Sequence, residues 1–167
     1  MSLDTTIGGA ASDSYGTVAE ATAYFTARNL TATLWSSLSS TIQEASLRKA
    51  TQYLDATYMF TGIKATQAQA LQWPRYDAEL DGYSISNVEI PARVKRAMFE
   101  LALKATTEEL APDISAQVVT AEAVGPLSVS YTSSPRNGGR DIYDYIESLI
   151  SPLLSGGGRG NAPLVRA

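Results

Sequence analysis

Four groups of residues in this chain have types and spacings that could do chemistry. Asp77-Ala-Glu79-Leu-Asp81-Gly82 sets oxygen ligands at alternate positions ahead of a glycine, which is how a calcium loop opens. The likeness ends there. Counting twelve positions from Asp77 puts Val88 where a bidentate glutamate is required, Glu89 falls one residue late, and Pro74 disrupts the entering helix. The segment reads as a solvated acidic turn without a metal. The glycine-rich stretches at 136–140 (RNGGR) and 156–160 (GGGRG) could cradle phosphate through backbone N–H groups, with arginine adding bidentate contacts. Neither continues into the Gly-Lys-Ser/Thr of a P-loop, so both read as hinges. Nine tyrosines and two tryptophans could stack on the bases of a single strand, but stacking works within a positive groove. Paired acids complete the set: Asp77 or Asp81 facing Glu100, and the neighbours Glu108 and Glu109. Adjacent helical positions point apart, and no apolar shell around these acids would raise a carboxyl pKa.

Composition narrows the chemistry further. The 167 residues contain no histidine and no cysteine, which removes imidazole bases, thiolate nucleophiles, disulfides and zinc or haem sites with nitrogen or sulfur ligands. Carboxylates, Lys, Arg, Tyr, Ser and Thr remain. They could serve a minor carboxylate enzyme, yet no constellation assembles them, so no catalytic residue, metal or cofactor is assigned. The charge balance, 13 Lys and Arg against 17 Asp and Glu, gives a net charge of −4 that opposes a phosphate backbone. No apolar run approaches the ~20 residues of a membrane helix, and no membrane partner is expected.

These residues must be positioned by a mainly α fold: a small helical bundle with a projecting β-hairpin and an extended C-terminal tail. Residues 1–13 are small and polar and read as a flexible arm, and 14–154 form the helical domain. Thr17 with Glu20 makes a capping box for a helix over about 17–29, and Thr41 with Glu44 repeats it for a helix over about 41–58. Trp35 and Leu38 lie in the connection and pin it to the core. Residues 66–71 predict a short helix stopped by Trp73-Pro74. An acidic loop over 74–89 leads to Ile90-Pro91, and proline at a first helical position opens a helix over about 91–110. The period then changes to two. Leu127, Val129 and Tyr131 alternate with Ser128, Ser130 and Thr132, predicting a hairpin within 117–132 about Gly125-Pro126. Asp141 caps a final amphipathic helix through Ile142, Tyr145, Ile146 and Leu149. Residues 155–167 are a glycine linker and a short apolar, basic tip, with two arginines and no acidic side chain. Such a tip either wanders or docks on another surface, and a two-stranded hairpin gains stability by packing or by pairing with another subunit.

Several blocks resemble a family. Tyr15 with Val18-Ala-Glu-Ala21 and Tyr24-Phe25, Ala50-Thr-x-Tyr53-Leu-Asp55, Gln69-x-Leu-x-Trp73-Pro74-Arg75 with Asp81-Gly82, Ile90-Pro91-x-x-Val94-Lys95, Glu100-Leu-Ala102, and Val124-Gly-Pro-Leu-x-Val129-x-Tyr131 are similar, in order and spacing over about 15–131, to a group of tailed-phage proteins. Members are often labelled DnaT-like single-stranded DNA-binding proteins, and their helical order also resembles head-tail adaptors, the head-completion proteins beneath the portal. The adaptor resemblance implies a structural protein of the virion neck, made in the bacterial cytoplasm. It implies a ring of twelve copies that binds the portal and a downstream tail or head-closure protein, and passes genomic double-stranded DNA without reading it. The alternative is a DnaT-like replication accessory that coats single strands. On the adaptor reading, Ile142, Tyr145, Ile146 and Leu149 with Leu164, Val165 and Arg166 are the expected portal contacts. Leu127, Val129 and Tyr131 are expected to meet the neighbouring subunit or the tail. Trp73 is expected as a core anchor, Pro74 as a helix stop, and Arg75 as an ion-pair partner of the acidic loop.

Overall fold

A computed structural model describes residues 2–28, 32–110, 122–124, 127–129 and 143–156. The fold is mainly α, as its sequence periods require. Helices α1 (Val18–Arg28), α2 (Ala32–Ser36), α3 (Ser40–Thr57), α4 (Ala92–Lys104) and α5 (Asp144–Ile150) are accompanied by three short antiparallel strand pairs. These are β1 (Ile63–Lys64) with β2 (Arg75–Tyr76), β3 (Glu79–Leu80) with β4 (Tyr83–Ser84), and β5 (Glu122–Val124) with β6 (Leu127–Val129).

Helix α1 starts where its capping box places it. The Thr17 N–H donates to Glu20 Oε2 at 2.8 Å while the Glu20 N–H donates to Thr17 Oγ1 at 3.1 Å, so two otherwise orphaned donors are satisfied reciprocally. Helix α3 starts differently from its sequence reading. Its cap is Ser39, whose hydroxyl accepts from the Ile42 N–H, and Glu44 turns to Arg48 instead of completing a box with Thr41. Pro91 is the residue before α4 rather than its first helical position, and the helix stops at Lys104.

The core is a seam of α3 against α4, with α1 packed on both helices and α5 packed on α4. Leu47, Ala50 and Leu54 of α3 meet a layer containing Val94, Ala97, Met98, Leu101 and Ala102 of α4, all fully buried. Met98 Sδ sits among hydroxyls, accepting from Thr51 Oγ1 at 3.1 Å and from Ser14 Oγ at 3.5 Å. Phe25 packs against Trp35, whose Nε1–H donates to Thr22 Oγ1 at 3.1 Å. Trp35 lies within α2 and not in a connection, and these contacts pin α2 to α1. No helix among the described residues is long and apolar enough to cross a membrane.

Three expectations change. Residues 2–13 are docked, not a free arm: the Asp13 N–H donates to the Asp4 carbonyl, the Asp4 N–H to Asp13 Oδ1, and Arg48 holds Asp13 Oδ2 at 2.6 Å. Small polar side chains satisfy the backbone locally and let the segment lie on α3. Residues 66–71 form no helix, because the Thr66 and Gln69 side chains bond reciprocally to each other's backbone N–H groups and close a turn. The acidic segment after Pro74 is built into β2, β3 and β4 rather than being a loop. The expected hairpin about Gly125-Pro126 pairs Val124 with Leu127 and Glu122 with Val129.

Candidate interaction surfaces

The Trp73-Pro74-Arg75 block is the structural hub of the region between α3 and α4. The Trp73–Pro74 peptide bond is cis. Trp73 is 1% exposed and stands edge-on to Phe60, with ring centroids 5.6 Å apart. Its indole N–H has no partner among the described residues. Pro74 stops no helix, since none precedes it.

Arg75 does not pair with the acidic segment that follows it. The residue is 8% exposed, and its guanidinium donates to the carbonyls of Thr61 (2.7 Å), Gly62 (2.6 Å) and Gln72 (3.1 Å), and to Gln72 Oε1 (2.9 Å). A planar fork with several donors suits a site where carbonyl groups converge and no carboxylate is in reach. Gly62 lets the backbone of residues 76–78 pass close to β1. Its φ is +74°, and a Cβ there would stand 2.1 Å from the Tyr76 carbonyl oxygen.

Sequence reasoning missed the polar centre beside this hub. Tyr15 donates its hydroxyl to Asp55 Oδ1, and the Gln72 N–H reaches Asp55 Oδ2 at 3.0 Å and the Tyr15 oxygen at 3.2 Å. One carboxylate thus joins the N-terminal segment, α3 and the approach to Trp73. Burial pushes the Asp55 carboxyl above its usual range and outweighs the Tyr15 and Gln72 hydrogen bonds and the fields of Lys64 and Arg75, which favour the anion. Burial, with Asp55 alongside, also pushes the Tyr15 phenol up. The sequence held little sign of it: only the fold shows that Asp55 follows a buried Thr51 by one helical turn, on a face where a carboxylate requires donors.

An open cleft of about 530 Å³ beside Asp55 is also lined by Asp13, Arg48, Gln52 and Leu71. Its charged groups are engaged with one another, Arg48 with Asp13 at 2.6 Å and with Glu44 at 3.6 Å. Among the described residues no group of three or more acids is arranged to hold a metal ion. Glu100 does not face Asp77 or Asp81. It accepts from the Tyr24 hydroxyl at 2.7 Å and lies 4.0 Å from Arg28.

The expected contact residues of the last helix separate. Helix α5 packs on α4, which buries Ile146 completely and Leu149 in part and leaves Tyr145 58% exposed. Ile146 is therefore a core residue and cannot meet a partner; the apolar stripe marks the inward face. Tyr145 alone of these three presents a large exposed surface. Leu127 and Val129 lie on β6, paired only with β5 among the described strands. Ile142, Tyr131, Leu164, Val165 and Arg166 lie outside the described residues.

Two surface properties remain. Five of the helical cations are paired: Arg28, Arg48, Lys49, Lys95 and Lys104 each lie within 4.0 Å of a carboxylate, whereas Arg93 of α4 donates to the Leu149 carbonyl at 3.4 Å and its neighbour Arg96 is exposed. By contrast, β1 and β2 present an apolar pair outward. Ile63 and Tyr76 are register partners on one face, 63% and 46% exposed, with exposed Asp77 and Glu79 immediately beyond. The class is thus a mainly α domain that sets an exposed apolar pair beside exposed acidic residues.

Over residues 1–167 the chain matches the family described as "Putative DnaT-like ssDNA binding protein", and it belongs to that family. No curated protein and no solved structure matches it.

Proposed function

We propose that this chain is an architectural protein that works by self-association, as a head-tail connector ring beneath a phage portal, and not by covalent chemistry. One observation carries the reading. The exposed Ile63–Tyr76 pair is bordered by the exposed carboxylates Asp77 and Glu79, while Arg48, Lys49 and Lys95 are engaged in ion pairs within the chain. Such a surface suits a protein neighbour and repels a polyanion. A net charge of −4 would also let duplex DNA slide through a ring without sticking. The portal and a downstream neck protein are the proposed partners, with twelve copies in the ring.

A second reading, a DnaT-like accessory that coats single-stranded DNA, is favoured by the family match over the whole chain. Two measurements on the full chain separate the readings. Sedimentation and negative-stain imaging, alone and with portal, test for a ring. Fluorescence anisotropy with a labelled oligothymidine across a salt series tests for strand binding. A ring that captures portal, with no salt-dependent anisotropy change, is the expected result. A monomer that binds the oligonucleotide with affinity falling steeply in salt overturns it in favour of the second reading.

A further inference from the structure

We infer that the Ile63–Tyr76 face is the docking site for the C-terminal tip, Leu164-Val165-Arg166, of a second copy of this chain. The inference rests on the self-association reading above and specifies its contact.

Leu154 bridges Phe60 in antiparallel fashion, the Thr61 N–H donates to the Leu153 carbonyl at 2.8 Å, and the Ser155 N–H donates to the Met59 carbonyl at 2.8 Å. Residues 153, 154 and 155 lie against 61, 60 and 59 in turn, so the chain runs away from β1 as far as Ser155. The eleven residues 157–167 extend at most about 36 Å at ~3.3 Å per residue. That length reaches across a domain of this size to the surface of an adjacent one.

The two surfaces are complementary. The tip offers Leu164 and Val165 beside Arg166, and residues 157–167 carry two arginines and no acidic side chain. The face offers Ile63 and Tyr76 side by side across two strands, with Asp77 and Glu79 exposed at its border. Lys64 does not oppose the arginine. It lies on the alternate side of β1, and its field is felt at Asp55. A single tip buries few side chains, so each contact is weak alone and gains by repetition around a closed assembly.

The absence of cysteine makes the test direct. Full-length chains carrying Ile63→Cys and, separately, Val165→Cys are mixed and oxidised, and the disulfide-linked product is followed on non-reducing gels. Chains carrying Tyr145→Cys with Val165→Cys serve as the exposure control, and circular dichroism checks each fold. The expected result is a linked heterodimer formed at least about tenfold faster than in the control, with the advantage shrinking at high salt. A rate equal to the control, with or without portal present, overturns the inference. So does a double variant, Ile63→Cys with Val165→Cys in one chain, that closes on itself while the mixed single variants fail to link. Sedimentation of the unmodified chain distinguishes the two levels. An oligomer without the cross-link rejects this contact alone, and a monomer rejects self-association with it.

Discussion

Replacing Tyr15 with phenylalanine removes one hydroxyl from the centre that joins the N-terminal segment, α3 and the Trp73 hub. The ring stays buried, so the packing is kept and only the polar term is lost. Asp55 Oδ1 then has no tyrosine donor, while the Gln72 N–H still holds Oδ2. A hydrogen bond to a charged acceptor in such a setting contributes about 1.5–3 kcal/mol. At about 2–4 °C per kcal/mol for a chain of this length, the melting temperature should fall by about 3–12 °C. The pH dependence follows from the direction of the Asp55 shift. The folded state holds the Asp55 proton more tightly than the unfolded chain does, so this group's contribution is most favourable below the unfolded pKa of about 3.9 and is lost as pH rises through the folded value. The Tyr15 hydroxyl acts against that loss by favouring the anion. The Tyr15→Phe deficit should therefore be largest near pH 7.5 and shrink as the pH is lowered through the Asp55 titration. Urea unfolding at several pH values measures it, and a cycle with Asp55→Asn isolates the pair. A deficit that does not change with pH, or a coupling energy below about 0.5 kcal/mol, would refute the account of this centre.

Other substitutions test the remaining assignments. Ile146→Ala should destabilise the chain by about 2–5 kcal/mol in urea unfolding because it opens a cavity between α5 and α4, whereas Tyr145→Ala should stay within about 0.5 kcal/mol. Arg75→Lys should cost about 1–3 kcal/mol in the same assay by leaving buried carbonyls of Thr61, Gly62 or Gln72 without donors; stability unchanged from the parent would show that the fork is not needed. Glu20→Ala removes both the α1 capping acceptor and the partner of Lys95, and should cost about 0.5–2 kcal/mol near neutral pH. Burial pulls the Glu20 carboxyl up, but the hydrogen bonds from Lys95 and Thr17 hold it below its usual range. Its contribution is therefore present above the unfolded pKa of about 4.3 and should fade as pH drops through the folded value, as thermal melts from pH 7 to pH 3 would record.

Local chemistry was legible in the chain wherever a few neighbouring residues decide the outcome. Thr17 and Glu20 satisfy each other's backbone, the alternation around Gly125-Pro126 sets a hairpin register, and the stripe through Leu47, Ala50 and Leu54 marks the inner face of α3. The absence of histidine and cysteine bounds the chemistry without any structure. Other features required the tertiary arrangement because they depend on partners far apart in sequence. Asp55 meets Tyr15 forty residues away, and Arg75 turns from nearby acids to the carbonyl groups of Thr61 and Gly62, more than ten residues before it. The stripe of α5 shows the same limit. Sequence alone identified Ile146 as apolar, but an inward face and a docking face have the same period, and the packing of α4 decided that this one was inward. The outward pair Ile63 and Tyr76 was invisible for the complementary reason, since two-residue strands carry too few positions to show a period and only their pairing places the two side chains together.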